Sequence, residues 1–275
     1  MLLGPQDTVW RGGQAGSYGD RVPLVAPWPA FVAAGVVIGT LTGFFGVGGS
    51  SVATPVLSLL GVPGLLAVAS PLPATVPAAL AAVVPYVRNR TARPHAAAWT
   101  LIGAVPATVA GALLSGLVGG GTLLIASGLV LVVVGWRVLR PMGEQSQRVG
   151  TTRRKNRPLL VTASAGVGLF TGLLANGGGF LLVPMYLLLF GLNIQESAGT
   201  SLLVIAVLTL PTLGAHWALG HIDWAVAGAY ALGVVPAAAV SAQFAQRTPA
   251  AFVRSAFGWF LIASGAAFAV YRLAS

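Results

Sequence analysis

Cysteine is absent from this chain. That excludes disulfides, a thiol nucleophile, thiolate metal ligands and sulfur relay through a protein thiol, and it leaves the redox compartment open. Charge is scarce as well, at 7% of 275 residues, against roughly 25% in a soluble domain. Only five residues are acidic. Glu196 and Asp223, the two in the second half, fall at the ends of apolar runs, and no acid stands inside one. A carboxylate proton site, common in proton-driven carriers, therefore has no candidate. An intramembrane enzyme built on a carboxylate pair or an activated thiol has none either. No Arg or Lys lies deep in a run. His95, His216 and His221 are too scattered to hold a metal, so neither metal nor cofactor is expected. His95 reads as solvated. His216 and His221, beside Asp223, read as a proton relay or as an interfacial pair.

What remains is apolar. Hydrophobic residues make up 56% of the chain, and the mean hydropathy is +0.86. Apolar segments fall at 30–61, 65–87, 97–117, 121–139, 158–191, 198–219, 224–245 and 251–273. Their length and continuity predict an all-α polytopic membrane protein of about eight transmembrane helices. Residues 1–29 lack the pattern of a signal peptide and read as a flexible polar tail held at the interface by Trp10 or Trp28. Trp99, Trp136, Trp217, Trp224 and Trp259 fall near run ends, as an interfacial belt would. The net charge of +10 is explained by basic loops that fix topology, and nucleic acid is not an expected partner.

Between the fourth and fifth segments lies the polar, basic stretch RPMGEQSQRVGTTRRKNRP, from Arg140 to Pro158. It divides a first membrane repeat, 30–140, from a second, 158–273, with 141–157 as a cytoplasmic linker. The halves match each other. Gly43–Pro55 aligns with Gly172–Pro184 at an offset of 129, and after one insertion Gly61 matches Gly191, Ser70 matches Thr200, and the GAVPA at 103–107 matches the GVVPA at 233–237. An internal duplication follows. Segments 30–61 and 158–191 are longer than the roughly 20 residues of one crossing. If each crosses once, 13 of the 15 basic residues are cytoplasmic and the termini lie inside. If each folds back as a hairpin, 12 are cytoplasmic, the termini lie outside and the repeats are inverted. Eight spans with a broken first segment is the preferred reading, and the inverted arrangement stays open.

The breaks carry the functional expectation. GFFGVGGSSVATPVL at 43–57 and GLLANGGGFLLVPMY at 172–186 interrupt apolar runs where irregular backbone survives only if buried in protein or lining a watery cavity. The pieces after the glycines are too short to cross alone and read as half-helices. Their N-termini present free N–H groups and the positive end of the helix dipole, an anion site. Paired broken helices point to a transporter's binding site. The candidate residues are Gly46, Gly48, Gly49, Ser50 and Ser51 in the first half and Asn176, Gly177, Gly178 and Gly179 in the second. Gly43, Pro55, Gly172 and Pro184 serve as hinges. Glycines in membrane helices also allow close packing, which is the reading for Gly39 and Gly43 as a GxxxG pair. Ser70, Thr200 and Ser201, at matching helix starts, are either further donors or hydroxyls bonded to their own backbone.

These two stretches resemble the duplicated motif of the sulfite exporter TauE/SafE family, also called the toluene sulfonate uptake permease family, approximately GxxxGxxGxGGGxxxxPxL. Gly39, Gly43, Gly46, Gly48, Gly49, Pro55 and Leu57 fit it, with Ser50 replacing a glycine. Gly168, Gly172, Gly177, Gly178, Gly179 and Pro184 fit it in the second half, with Ala175 and Asn176 as departures. The resemblance extends over about 30–273. It implies a carrier of small sulfur-containing anions, such as sulfite or organosulfonates, in a bacterial cytoplasmic membrane. Partners are then a small anionic substrate and the lipid bilayer, with a homo-oligomer left open. A channel and a non-transporting membrane subunit are the rival readings.

Overall fold

The computed structural model describes residues 26–114, 120–140, 157–173 and 179–274. The described residues form helices and no strand. They are α1 (Trp28–Phe45), α2 (Ser50–Leu59), α3 (Gly64–Ala69), α4 (Leu72–Arg88), α5 (Pro94–Leu114), α6 (Gly120–Leu139), α7 (Arg157–Leu173), α8 (Gly179–Pro184), α9 (Ile194–Ala218), α10 (Trp224–Arg247) and α11 (Ala250–Ala274). A π-helical turn, Met185–Leu189, continues α8, immediately after a proline that cannot donate to the regular ladder. Trp28–Phe45, Leu65–Arg88, Ile194–Ala218 and Trp224–Arg247 are long and apolar enough to cross a membrane, and shorter apolar helices accompany them. Helices satisfy their own backbone, which hydrocarbon demands.

Side-chain contacts fix the direction of every long helix. Gly35, Gly39 and Gly43 of α1 meet Tyr230, Val234 and Ala238 of α10 in that order, so the two run parallel. α4 runs with them. Asp223 N–H donates to Ser70 Oγ at one end (3.1 Å), and Asn89 and Thr91 donate to Gln246 Oε1 at the other. α9 runs the opposite way, because its early residue Gly199 lies on Tyr86 near the end of α4. α5 and α7 are parallel, through Gly103 on Val161 and Gly111 on Leu169. α6 and α11 are antiparallel, through Gly135 on Gly258 and Gly265 on Gly128.

These directions decide what the sequence left open. After α1, the ten residues of α2 return alongside it, and Leu57 and Val62 pack with Phe31 at the end where α1 began. After α7, α8 returns in the same manner, with Tyr186 bonded to Thr100 near the start of α5. The preferred single crossing of 30–61 and 158–191 is thus corrected. Each segment folds back, because the half-helix after the glycines is only long enough to retrace the helix before it. The two hairpins enter from opposite ends. Arg88, Arg90, Arg93, Arg137, Arg140, Arg157, Arg247 and Arg254 all lie at one end, where α4, α6 and α10 finish and α5, α7, α9 and α11 start. The linker leaves α6 and rejoins α7 at this basic end, the end that the positive-inside rule expects in the cytoplasm. Trp28, Trp217 and Trp224 mark the other end, each more than half exposed.

Helix starts recur down the chain at a nearly constant interval. Trp28 and Arg157 are separated by 129 residues, and Gly64 and Ile194, Pro94 and Trp224, and Gly120 and Ala250 by 130. The contacts recur too, with helices exchanged: α1 packs on α10, and α7 packs on α5. Close approach is possible because glycine faces backbone. A Cβ at Gly39 or Gly43 would come within 3.0 Å of the Val234 or Ala238 carbonyl oxygen, and one at Gly233 would meet the Val32 oxygen. The TauE-like Gly39 and Gly43 therefore act in helix packing. Nothing lies within 4 Å of such a Cβ at Gly166 or Gly228. Gly39→Val and Gly43→Val are expected to lower thermal stability by about 3 kcal/mol or more, since a fixed backbone cannot yield to the added volume. Gly228→Ala should leave stability unchanged or raise it by about 0.5–1 kcal/mol, measured by thermal unfolding in detergent.

Candidate functional site

The first break begins where α1 ends. Gly46 closes the helix with φ +70°, a left-handed conformation that glycine adopts without strain, and its N–H donates to Thr42 O at 2.9 Å. A Cβ there would strike the backbone of Ala198 in α9, a second reason for glycine. The Tyr86 hydroxyl, fully buried, donates to Gly43 O at 2.8 Å. It satisfies a carbonyl that the end of α1 would otherwise leave orphaned. Gly46, Val47, Gly48 and Gly49 are all buried. Gly49 is the N-cap of α2 and supplies no side-chain cap.

Two hydroxyls ring that helix end. A Cβ at Gly49 would lie 3.1 Å from Thr42 Oγ1 and 3.2 Å from Tyr230 OH, with the Ile38 side chain at 3.0 Å. Thr42 already donates to Ile38 O at 2.8 Å. Tyr230 is fully buried, and its hydroxyl has no hydrogen-bond partner among the described residues. A buried donor left unpaired costs about 1–3 kcal/mol. Ser197 Oγ, also fully buried and unpartnered, stands next to Ala198, whose backbone lies on Gly46. The first break thus brings together a helix N-terminus, Gly48, Gly49 and the Tyr230 hydroxyl of α10. Ser50 and Ser51 open α2. Tyr230 was not legible as a candidate site residue, because a tyrosine in an apolar run carries no motif.

The second break is different. Asn176, Gly177 and Gly178 lie outside the described residues, and Gly179 opens α8. Thr100 stands where the half-chain interval places the counterpart of Tyr230, and its hydroxyl is bonded by Tyr186 OH at 2.6 Å. Gly172 packs against Gly111 of α5, as Gly43 packs against α10. Pro55 lies inside α2, and Pro184 precedes the π-helical turn. The two breaks share a core, since Phe45 and Val47 cluster with Phe180, Leu181 and Val183. Phe45 also stacks on Phe260, ring centroids 5.4 Å apart.

Ser70 and Thr200 are not brought to the breaks. They occupy opposite ends of the bundle in one repeated role. Ser70 Oγ accepts from Asp223 N–H, and Thr200 Oγ1 accepts from Arg93 N–H at 3.1 Å. Thr200 also donates to Glu196 O. Ser201 is buried one residue further on. Glu196 is held by Arg93 through Oε1 and closes a capping box with Asn193. Asp223 caps α10 through Ala225 and Val226 N–H. His216 and His221 meet Nδ1 to Nδ1 at 3.3 Å at the end away from the arginines. Ser70→Ala and Thr200→Val should each lower stability by about 1–3 kcal/mol by leaving a backbone N–H unpaired, read by thermal unfolding.

The comparisons agree with this architecture. The chain is 24% identical over 230 residues to a probable membrane transporter protein, YunE, of Bacillus subtilis, covering 75% of this chain and 83% of that protein. It is 27% identical over 242 residues to a probable membrane transporter protein of Xylella fastidiosa strain 9a5c, covering 84% and 91%. No solved structure matches it. The pattern of the family described as sulfite exporter TauE/SafE matches residues 31–268. The chain is a multi-pass membrane transporter, and it belongs to the sulfite exporter TauE/SafE family.

Proposed function

We propose that this transporter is a secondary carrier that exports small sulfur-containing anions, sulfite or organosulfonates, across a bacterial cytoplasmic membrane. The observation that carries the anion reading is the N-terminus of α2, deep in the bundle, with the Tyr230 hydroxyl, which has no partner among the described residues, beside it. Backbone N–H groups and the helix dipole favour negative charge, and a tyrosine hydroxyl donates a charge-assisted bond without bringing a counter-ion. Holding the anion by dipoles and neutral donors suits quick release. With no acid inside the described helices except Glu196 at the start of α9, the negative interior of the cell favours outward movement of an anion.

The halves are read as an inverted duplication of about eight membrane-embedded helices. The recurring helix starts and the opposed hairpins support that reading. Alternating access would rock the hairpins against the helices they pack on, exposing the break to one side at a time. Asn176, Gly177, Gly178 and Gly179 complete the site in this proposal, opposite Gly48, Gly49, Ser50 and Ser51.

Counterflow in proteoliposomes preloaded with unlabelled sulfite tests it. The parent should accumulate labelled sulfite saturably. Tyr230→Phe should keep its thermal stability and lose about 10- to 100-fold in apparent affinity, the worth of a hydrogen bond to a charged group. Unchanged affinity in the Phe variant would remove Tyr230 from the site. Absence of sulfite and sulfonate counterflow in folded protein would remove these substrates.

A further inference from the structure

On the outer surface of the bundle, at its basic end, α4 and α10 frame a groove of about 520 Å³. Arg88 and Arg247 stand at its mouth with Asn89, Gln243 and Gln246, above an apolar floor that includes Ala239. Both arginines are exposed. Neither described acid neutralises them, since Glu196 pairs with Arg93 and Asp223 caps α10 at the other end. Gln246 is held in place by Asn89 and Thr91, which both donate to its Oε1. Beside the groove the outer faces are apolar, with Leu80, Val240 and Phe244 each more than half exposed.

The other half has no such groove in its sequence. At the half-chain interval of 130, Arg88 and Asn89 correspond to Ala218 and Leu219, and Gln243 and Arg247 to Leu113 and Leu117. The polar set is therefore not a by-product of the repeated architecture, and it occurs only at the cytoplasmic end. We propose that this groove binds the phosphate headgroup of an anionic phospholipid from the inner leaflet. The arginines face the phosphate, and the acyl chains lie along the apolar faces of α4 and α10. Two cations and an adjoining lipid-facing surface match that ligand better than a soluble anion, which has no use for the apolar faces.

Native mass spectrometry of the detergent-solubilised full chain, titrated with phosphatidylglycerol and with phosphatidylcholine of the same acyl chains, tests this. Phosphatidylglycerol should bind at least about tenfold more tightly. The double variant Arg88→Gln/Arg247→Gln should lose about thirtyfold of that affinity, about fivefold per arginine, with phosphatidylcholine binding unchanged. The variant Arg88→Lys/Arg247→Lys should retain most of it. Ala239→Leu, which fills the floor and leaves every charge in place, should also weaken phosphatidylglycerol and provides a second test if the charge variants fail to fold. Unchanged phosphatidylglycerol affinity in either the Gln or the Leu variant would overturn the assignment. So would displacement of the lipid by millimolar inorganic phosphate, which would identify a soluble-anion site instead.

Discussion

Within a bilayer every backbone N–H and C=O must find a partner inside the protein, and the folding-back of α1 and α2 depends on how that demand is met. The chain stops a helix near the far side of the bundle and turns it around. The Tyr86 hydroxyl takes the Gly43 carbonyl, and the Gly46 N–H takes Thr42. Ala198 of α9 covers Gly46 so closely that only glycine fits. α1 reaches that position by lying backbone to backbone on α10 along Gly35, Gly39 and Gly43. With the turn sealed, the N-terminus of α2 is left buried and unpartnered by any side-chain cap, and Tyr230 leaves its hydroxyl beside it. The proposed site is what the packing of the described residues leaves unsatisfied.

The two halves keep the scaffold in common and divide the chemistry. Ser70 and Thr200 perform the same structural task at opposite ends, each holding the backbone at the start of a helix from the other half. Where the Tyr230 hydroxyl has no partner among the described residues, Thr100 is already bonded by Tyr186. Where the basic end carries Arg88 and Arg247, the matching positions are apolar. Such divergence is available because side chains that face a break or a groove are not needed to hold the helices together, whereas the glycine stripes are.

Much of this was legible in the sequence. Apolar runs without charge predicted helices in a membrane, and the glycine cluster followed by proline located the break between α1 and α2. The constant interval was visible in glycines and prolines alone. The choice between crossing and folding back was not legible, because the two topologies place nearly the same number of arginines on one side. Only the order of contacts along α1 and α10, and Leu57 against Phe31, decides it. The role of Ser70 and Thr200 was hidden for a related reason. Their partners, Asp223 and Arg93, are more than 100 residues away in sequence and donate through backbone that has no residue signature.

The two hairpins enter from opposite faces, so α1 begins and α11 ends on the side away from the arginines. The most direct measurement is labelling of single cysteines in intact cells with a membrane-impermeant maleimide, in a chain with no native cysteine to remove. Ser17→Cys and Ser275→Cys should both label from outside, and Ser146→Cys in the basic linker only after permeabilisation. Labelling of Ser17→Cys and Ser275→Cys only after permeabilisation would mean that each first segment crosses once, and would contradict the inverted arrangement.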